Sequence, residues 1–121
     1  MGEIILIKTD EFIRKARITN VVDGDTFDAT VDLGFHTLVT HRFRMLELDT
    51  PERNKKGYKE ATAFTSKHIL DKDVFIQSVK TDVYGRYLAH VLIGDTTLSA
   101  MLVEEGLAEV YDYHKRKKGY K

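Results

Sequence analysis

The sequence predicts an α+β fold, a small Greek-key β-barrel of five short strands with two or more helices packed on it. Three observations predict it. Several short runs alternate apolar and polar residues, which is the period of a half-buried strand, and turn residues bound them. The runs come as three strands, a helix, two strands and a helix, so helices do not alternate strictly with strands as in a parallel α/β sheet. A single proline, Pro51, and singly spread glycines leave no linker or repeat, so one domain over residues 1–121 is expected.

The first strand is read over residues 12–22, where Phe12, Ile13, Ala16, Ile18, Val21 and Val22 are apolar but alternate imperfectly. Asp23-Gly24-Asp25 is a turn signal. The second strand, Thr26 to Leu33, alternates cleanly, with Phe27, Ala29, Val31 and Leu33 on one face. Gly34 then breaks the run and predicts a hairpin into a third strand over residues 35–48, carried by Leu38, Val39, Phe43, Met45, Leu46 and Leu48. Asp49-Thr50-Pro51-Glu52 ends that strand, because proline cannot donate to a ladder.

Arg53 to Lys59 reads as a polar loop. Glu60 to Leu70 reads as a helix, with Ala61, Phe64, Thr65 and His68 at helical spacing. Val74 to Val79 and Arg86 to Ile93 are the fourth and fifth strands, joined through Tyr84-Gly85. Leu98, Met101 and Leu102 make a short helix, capped by Thr96 or Thr97 and stopped by Gly106. Five short antiparallel strands with a helix after the third suit an OB-type barrel.

Composition bounds the function. The 121 residues carry 19 basic and 19 acidic side chains and 42% apolar residues, which excludes a chain disordered through high net charge and low hydrophobicity. A domain of this length buries roughly 65% of its unfolded surface, enough for one core. There is no cysteine, so disulfides and thiolate metal sites are excluded. No run approaches the ~20 apolar residues of a membrane-spanning helix. No signal peptide is read at the start, so a cytoplasmic protein is expected unless a leader was removed. The tail over residues 114–121 holds five basic residues and no acid, while the preceding residues are net acidic. Nucleic-acid binding would therefore rest on local charge.

The residues that could carry chemistry stand at strand ends and turns. Asp23 and Asp25 flank Gly24, Asp49 and Glu52 flank Thr50-Pro51, Arg44 lies five residues before Asp49, and Arg86 opens the fifth strand. Phosphodiester hydrolysis needs a hard cation, a carboxylate to orient water, and fixed positive charge for the phosphate. Asp25 and Asp49 could supply carboxylates and Thr50 a carbonyl, an oxygen set suited to calcium or magnesium. Glu52 could hold the water. Arg44 and Arg86 could grip phosphate, their forks matching two oxygens. Singly, each of these is also an ordinary turn or surface residue. The five histidines show no paired ligand spacing.

Taken together, the segments resemble the staphylococcal nuclease family. The resemblance runs through Val22-Asp23-Gly24-Asp25-Thr26, Phe43-Arg44-Met45-Leu46-Glu47-Leu48-Asp49-Thr50-Pro51-Glu52 and Glu60-Ala61-Thr62-Ala63-Phe64-Thr65. It continues through Thr81-Asp82-Val83-Tyr84-Gly85-Arg86-Tyr87-Leu88-Ala89 and Leu102-Val103-Glu104-Glu105-Gly106-Leu107-Ala108. It implies an OB-fold barrel and calcium-dependent hydrolysis of DNA and/or RNA to 3′-phosphate ends. By position it implies Asp25, Asp49 and Thr50 as calcium ligands, Glu52 as the water-orienting base, and Arg44 and Arg86 as phosphate-binding arginines. Tyr84 matches a substrate-binding tyrosine, and Tyr111 and Tyr113 match a nucleotide-stacking pair with a one-residue offset.

The chain also departs from the family. The loop after Glu52 is shorter and lacks the Gly-Pro before the helix, Val83 replaces a common lysine, and a trimmed domain without the family's last helix is expected. A monomer acting on nucleic acid, with no membrane partner, is expected. The alternative is a non-catalytic OB module that binds single strands or a protein through its tyrosines and basic tail.

Overall fold

The computed structural model describes residues 12–46, 48–81 and 86–110. These form β1 (Ile13–Asp23), β2 (Thr26–Asp32), β3 (Leu38–Met45), β4 (Leu48–Asp49), α1 (Tyr58–Ile69), β5 (Asp73–Thr81), β6 (Tyr87–Ile93), β7 (Thr96–Thr97), α2 (Leu98–Glu104) and β8 (Glu109–Val110). β1 pairs antiparallel with β2 and with β5, β2 with β3, and β5 with β6. A parallel pairing of β3 with β6 closes the ring. The result is the expected five-stranded OB barrel of the α+β class.

Side-chain alternation fills the barrel. Phe27, Ala29 and Val31 of β2 point inward, as their period-2 spacing requires, and Phe43 and Met45 of β3 join them. Phe27 and Phe43 sit opposite each other in register and stack with ring centroids 5.6 Å apart. The imperfect alternation of β1 has a physical cause. Its register with β2 slips between Ile18 and Asn20 and again between Val21 and Asp23, and each bulge resets which residues face the core.

The third predicted strand needs correction. β3 ends at Met45, and residues 48–49 form a separate strand paired with β8. The chain turns at Leu46, whose N–H donates to Ala89 O at 3.2 Å, and Leu48 enters the core from its new direction. No glycine or proline interrupts residues 35–48, but tertiary hydrogen bonds divide them. α1 also starts two residues before the expected Glu60, because Gly57 takes a left-handed conformation (φ 92°) that launches the helix at Tyr58.

α1 buries Ala61, Thr65 and Ile69 against the barrel. α2 is capped as expected: Thr97 Oγ1 accepts from Ala100 N at 3.1 Å, and Gly106 follows at φ 75°. No helix among the described residues is long and apolar enough to cross a membrane.

Candidate active site

The β1–β2 turn is seated on α1 by a close approach at Gly24. A Cβ there would lie 2.9 Å from Ala61 Cβ and 3.1 Å from Thr50 Cγ2, so only glycine lets the turn touch the helix. Thr65 Oγ1 donates to Gly24 O at 2.8 Å from within the core. The turn is therefore held on one face of α1 by packing on Ala61 and a hydrogen bond from Thr65.

That seat delivers Asp25 into a buried position, 5% exposed. Its Oδ1 accepts from Thr26 Oγ1 at 2.9 Å and its Oδ2 from Thr50 N at 3.4 Å. Its carbonyl accepts from Met45 N at 2.9 Å, tying the turn to the end of β3. A buried carboxylate is costly without a countercharge. Arg44 provides one: its Nη2 lies 3.4 Å from Asp25 Oδ2. The same nitrogen donates to Asp49 Oδ1 at 3.2 Å and to Leu48 O at 3.0 Å.

One guanidinium nitrogen thus stands between the two carboxylates the sequence nominated as cation ligands. This stand-in tests the fit of a metal: Asp25 and Asp49 converge on a shared positive charge. Their donors and the Thr50 main-chain oxygen are hard oxygens, the chemistry of calcium. Among the described residues no cluster of three or more acidic or histidine side chains forms. Water and substrate oxygens would complete the shell, which calcium tolerates.

Thr50 is buried, and Glu52, two residues on, is exposed. A cleft of about 260 Å³ runs beside Thr50, lined by Asp49, Thr50, Pro51, Leu107, Ala108 and Glu109 among others, and Glu52 follows its lining residue Pro51. Arg86 is half-buried and directly precedes β6. β6 lies alongside β3 with Leu88 opposite Arg44, so the two arginines enter on neighbouring strands two register positions apart. Tyr84, Tyr111, Tyr113 and the basic tail over residues 114–121 lie outside the described residues.

Two contacts near the site were not apparent from motifs. Tyr58 Oη donates to Asp23 Oδ1 at 2.7 Å and to Val22 O at 3.3 Å. The hydrogen bond to Asp23, helped by burial and by that carboxylate's charge, holds the Tyr58 phenol above its ordinary pKa, so it stays a donor. Further along the barrel, Arg42 grips Asp28 through Nε–Oδ1 at 2.8 Å and Nη2–Oδ2 at 3.2 Å. That pairing lowers the Asp28 pKa below 3.8 against the opposing effect of burial, with a further hydrogen bond from Asn20.

A closed barrel of this topology, with two acids from separate segments meeting one arginine, defines a class that comparison with known proteins makes specific. The chain belongs to the staphylococcal nuclease homologue family, whose model matches residues 42–121. That span contains Arg44, Asp49, Thr50, Glu52 and Arg86, and Asp25 precedes it. Over 105 residues the chain is 34% identical to a thermonuclease of Staphylococcus hyicus, covering 80% of this chain and 59% of that protein. A thermonuclease of Staphylococcus intermedius is 34% identical over 104 residues, covering 79% and 59%. A prophage-derived endonuclease of Bacillus subtilis is 31% identical over 102 residues, covering 77% of this chain and 33% of that protein.

Proposed function

We propose that this protein is a calcium-dependent phosphodiesterase that hydrolyses DNA or RNA and leaves 3′-phosphate ends. The observation that carries the reading is the convergence of Asp25 and Asp49 on one Arg44 nitrogen, within 3.4 Å of both. Membership of a family whose relatives include proteins named thermonuclease and endonuclease supports it.

Asp25, Asp49 and the Thr50 carbonyl would hold the ion, which supplies Lewis acidity and a fixed positive charge beside the scissile phosphate. Glu52 is exposed beside the cleft and holds the attacking water. Its carboxylate takes a proton as the water oxygen forms a bond to phosphorus in line with the leaving 5′ oxygen. The P–O5′ bond breaks with its electron pair going to the 5′ oxygen, which takes a proton from solvent water to leave as a hydroxyl, while Glu52 returns its proton to solvent. Arg44 has five N–H donors and uses only one nitrogen on the two acids, so its fork has capacity left for phosphate. Arg86 supplies the second guanidinium against charge developing on phosphorus.

Digestion of supercoiled plasmid with calcium, magnesium or EGTA in parallel tests the proposal. Cleavage with calcium, loss with EGTA and restoration on adding calcium back is the expected pattern. Retention of DNA without any cleavage would instead identify a binding module.

A further inference from the structure

Glu52 is carried by a short loop, and an exposed carboxylate can direct a water only if its loop is rigid. Residues 50–57 are closed by several contacts. Lys55 N donates to Glu52 O at 2.9 Å and Tyr58 N to Lys55 O at 3.2 Å. Gly57 turns back against Pro51, where a Cβ would lie 3.1 Å from Pro51 Cγ. The Arg53 guanidinium stands over the Tyr58 ring, 5.8 Å from its centroid. All of these close the loop on itself.

Tyr58 also reaches outside it. Its hydroxyl spans to Asp23 Oδ1 at 2.7 Å and Val22 O at 3.3 Å, the last two residues of β1 before Gly24 and Asp25. One side chain therefore joins the loop bearing Glu52 to the strand end that leads into the turn bearing Asp25. A charge-assisted hydrogen bond of this length is strong and directional, and fixes one segment relative to the other.

We infer that Tyr58 is a positioning residue, holding the Glu52 loop against Asp23 so that the water-orienting carboxylate and the buried Asp25 keep a fixed separation. This inference rests on the nuclease reading given above. Tyr58 stands apart from the ligand and phosphate roles assigned above, and acts through Asp23 and the loop. Misplacement by about an ångström can cost on the order of 100-fold in rate, and loss of such a supporting contact typically 10- to 100-fold.

The test uses Tyr58→Phe, which removes the hydroxyl but keeps the ring over which Arg53 sits, with Asp23→Ala, which removes the acceptor, as a second variant should the first fail to fold. Two readouts are taken on the full chain: kcat and KM for plasmid cleavage at saturating calcium, and amide hydrogen exchange at Lys55 and Tyr58 without metal. The expected result is kcat lowered about 10- to 100-fold with KM near the parent's, and amide exchange at least about 10-fold faster. Either readout unchanged in a folded variant overturns the inference while the nuclease reading stands. A parent that cleaves nothing with calcium overturns both.

Discussion

Gly24→Ala probes the contact that seats the site, and its cost can be worked from distances. The new methyl would lie 2.9 Å from Ala61 Cβ and 3.2 Å from the Ala61 carbonyl carbon. Thr50 Cγ2, at 3.1 Å, can rotate away, but Ala61 is fully buried in α1 and cannot. Gly24 is not in the left-handed region, so the cost is steric rather than conformational. Overpacking of this kind costs about 1–3 kcal/mol, which for a domain of this size is a Tm lower by roughly 4–12 °C.

The compensating change is Ala61→Gly, which alone costs about 1 kcal/mol as glycine in a helix. Combined with Gly24→Ala it moves the methyl from one side of the contact to the other. The double variant should therefore lose at least about 1 kcal/mol less than the two single losses together. Thermal and urea unfolding of the four proteins measure this. Additive losses, or a Gly24→Ala variant that melts with the parent, would refute a seat made by turn–helix contact.

Arg44→Ala leaves the buried Asp25 without its countercharge and should destabilise the fold by about 3–5 kcal/mol, while cleavage falls roughly 100- to 1000-fold. Denaturant unfolding and plasmid digestion measure the two effects separately. Glu109 sits opposite Asp49 across the β4–β8 pair, and like charges so placed repel. Glu109→Gln should raise stability by roughly 0.2–1 kcal/mol in EGTA, read as a higher urea midpoint. Asp28, whose pKa Arg42 lowers in the folded state, stabilises the fold above the unfolded value near 3.8 and loses that contribution as pH falls through the folded value. Asp28→Asn should thus lower Tm at pH 7, and the difference from the parent should vanish near pH 2.

Much of the fold was written in local patterns. The alternation of Thr26 to Leu33 located β2, and Thr97 with Gly106 bounded α2. The break at Leu46 left no local trace, because apolar residues recur from Leu38 to Leu48 with no turn residue between them, and the division depends on a bond to Ala89 and pairing with β8. The site was legible in residue types, since Asp25, Arg44 and Asp49 stand at strand ends. Their meeting follows from register. A hairpin folded about Phe35 sets Thr26 opposite Arg44 and so brings Arg44 beside Asp25. The bond from Tyr58 to Asp23 joins residues 35 apart through the seating of α1, and no spacing or motif announces it.

The central claim is that Asp25 and Asp49 together hold the cation that hydrolysis requires. The calcium dependence of plasmid cleavage, compared among the parent, Asp25→Asn and Asp49→Asn, tests it most directly. The expected result is a half-saturating calcium concentration at least about 10-fold higher in each variant. Half-saturation at the parent's concentration in both variants would contradict it.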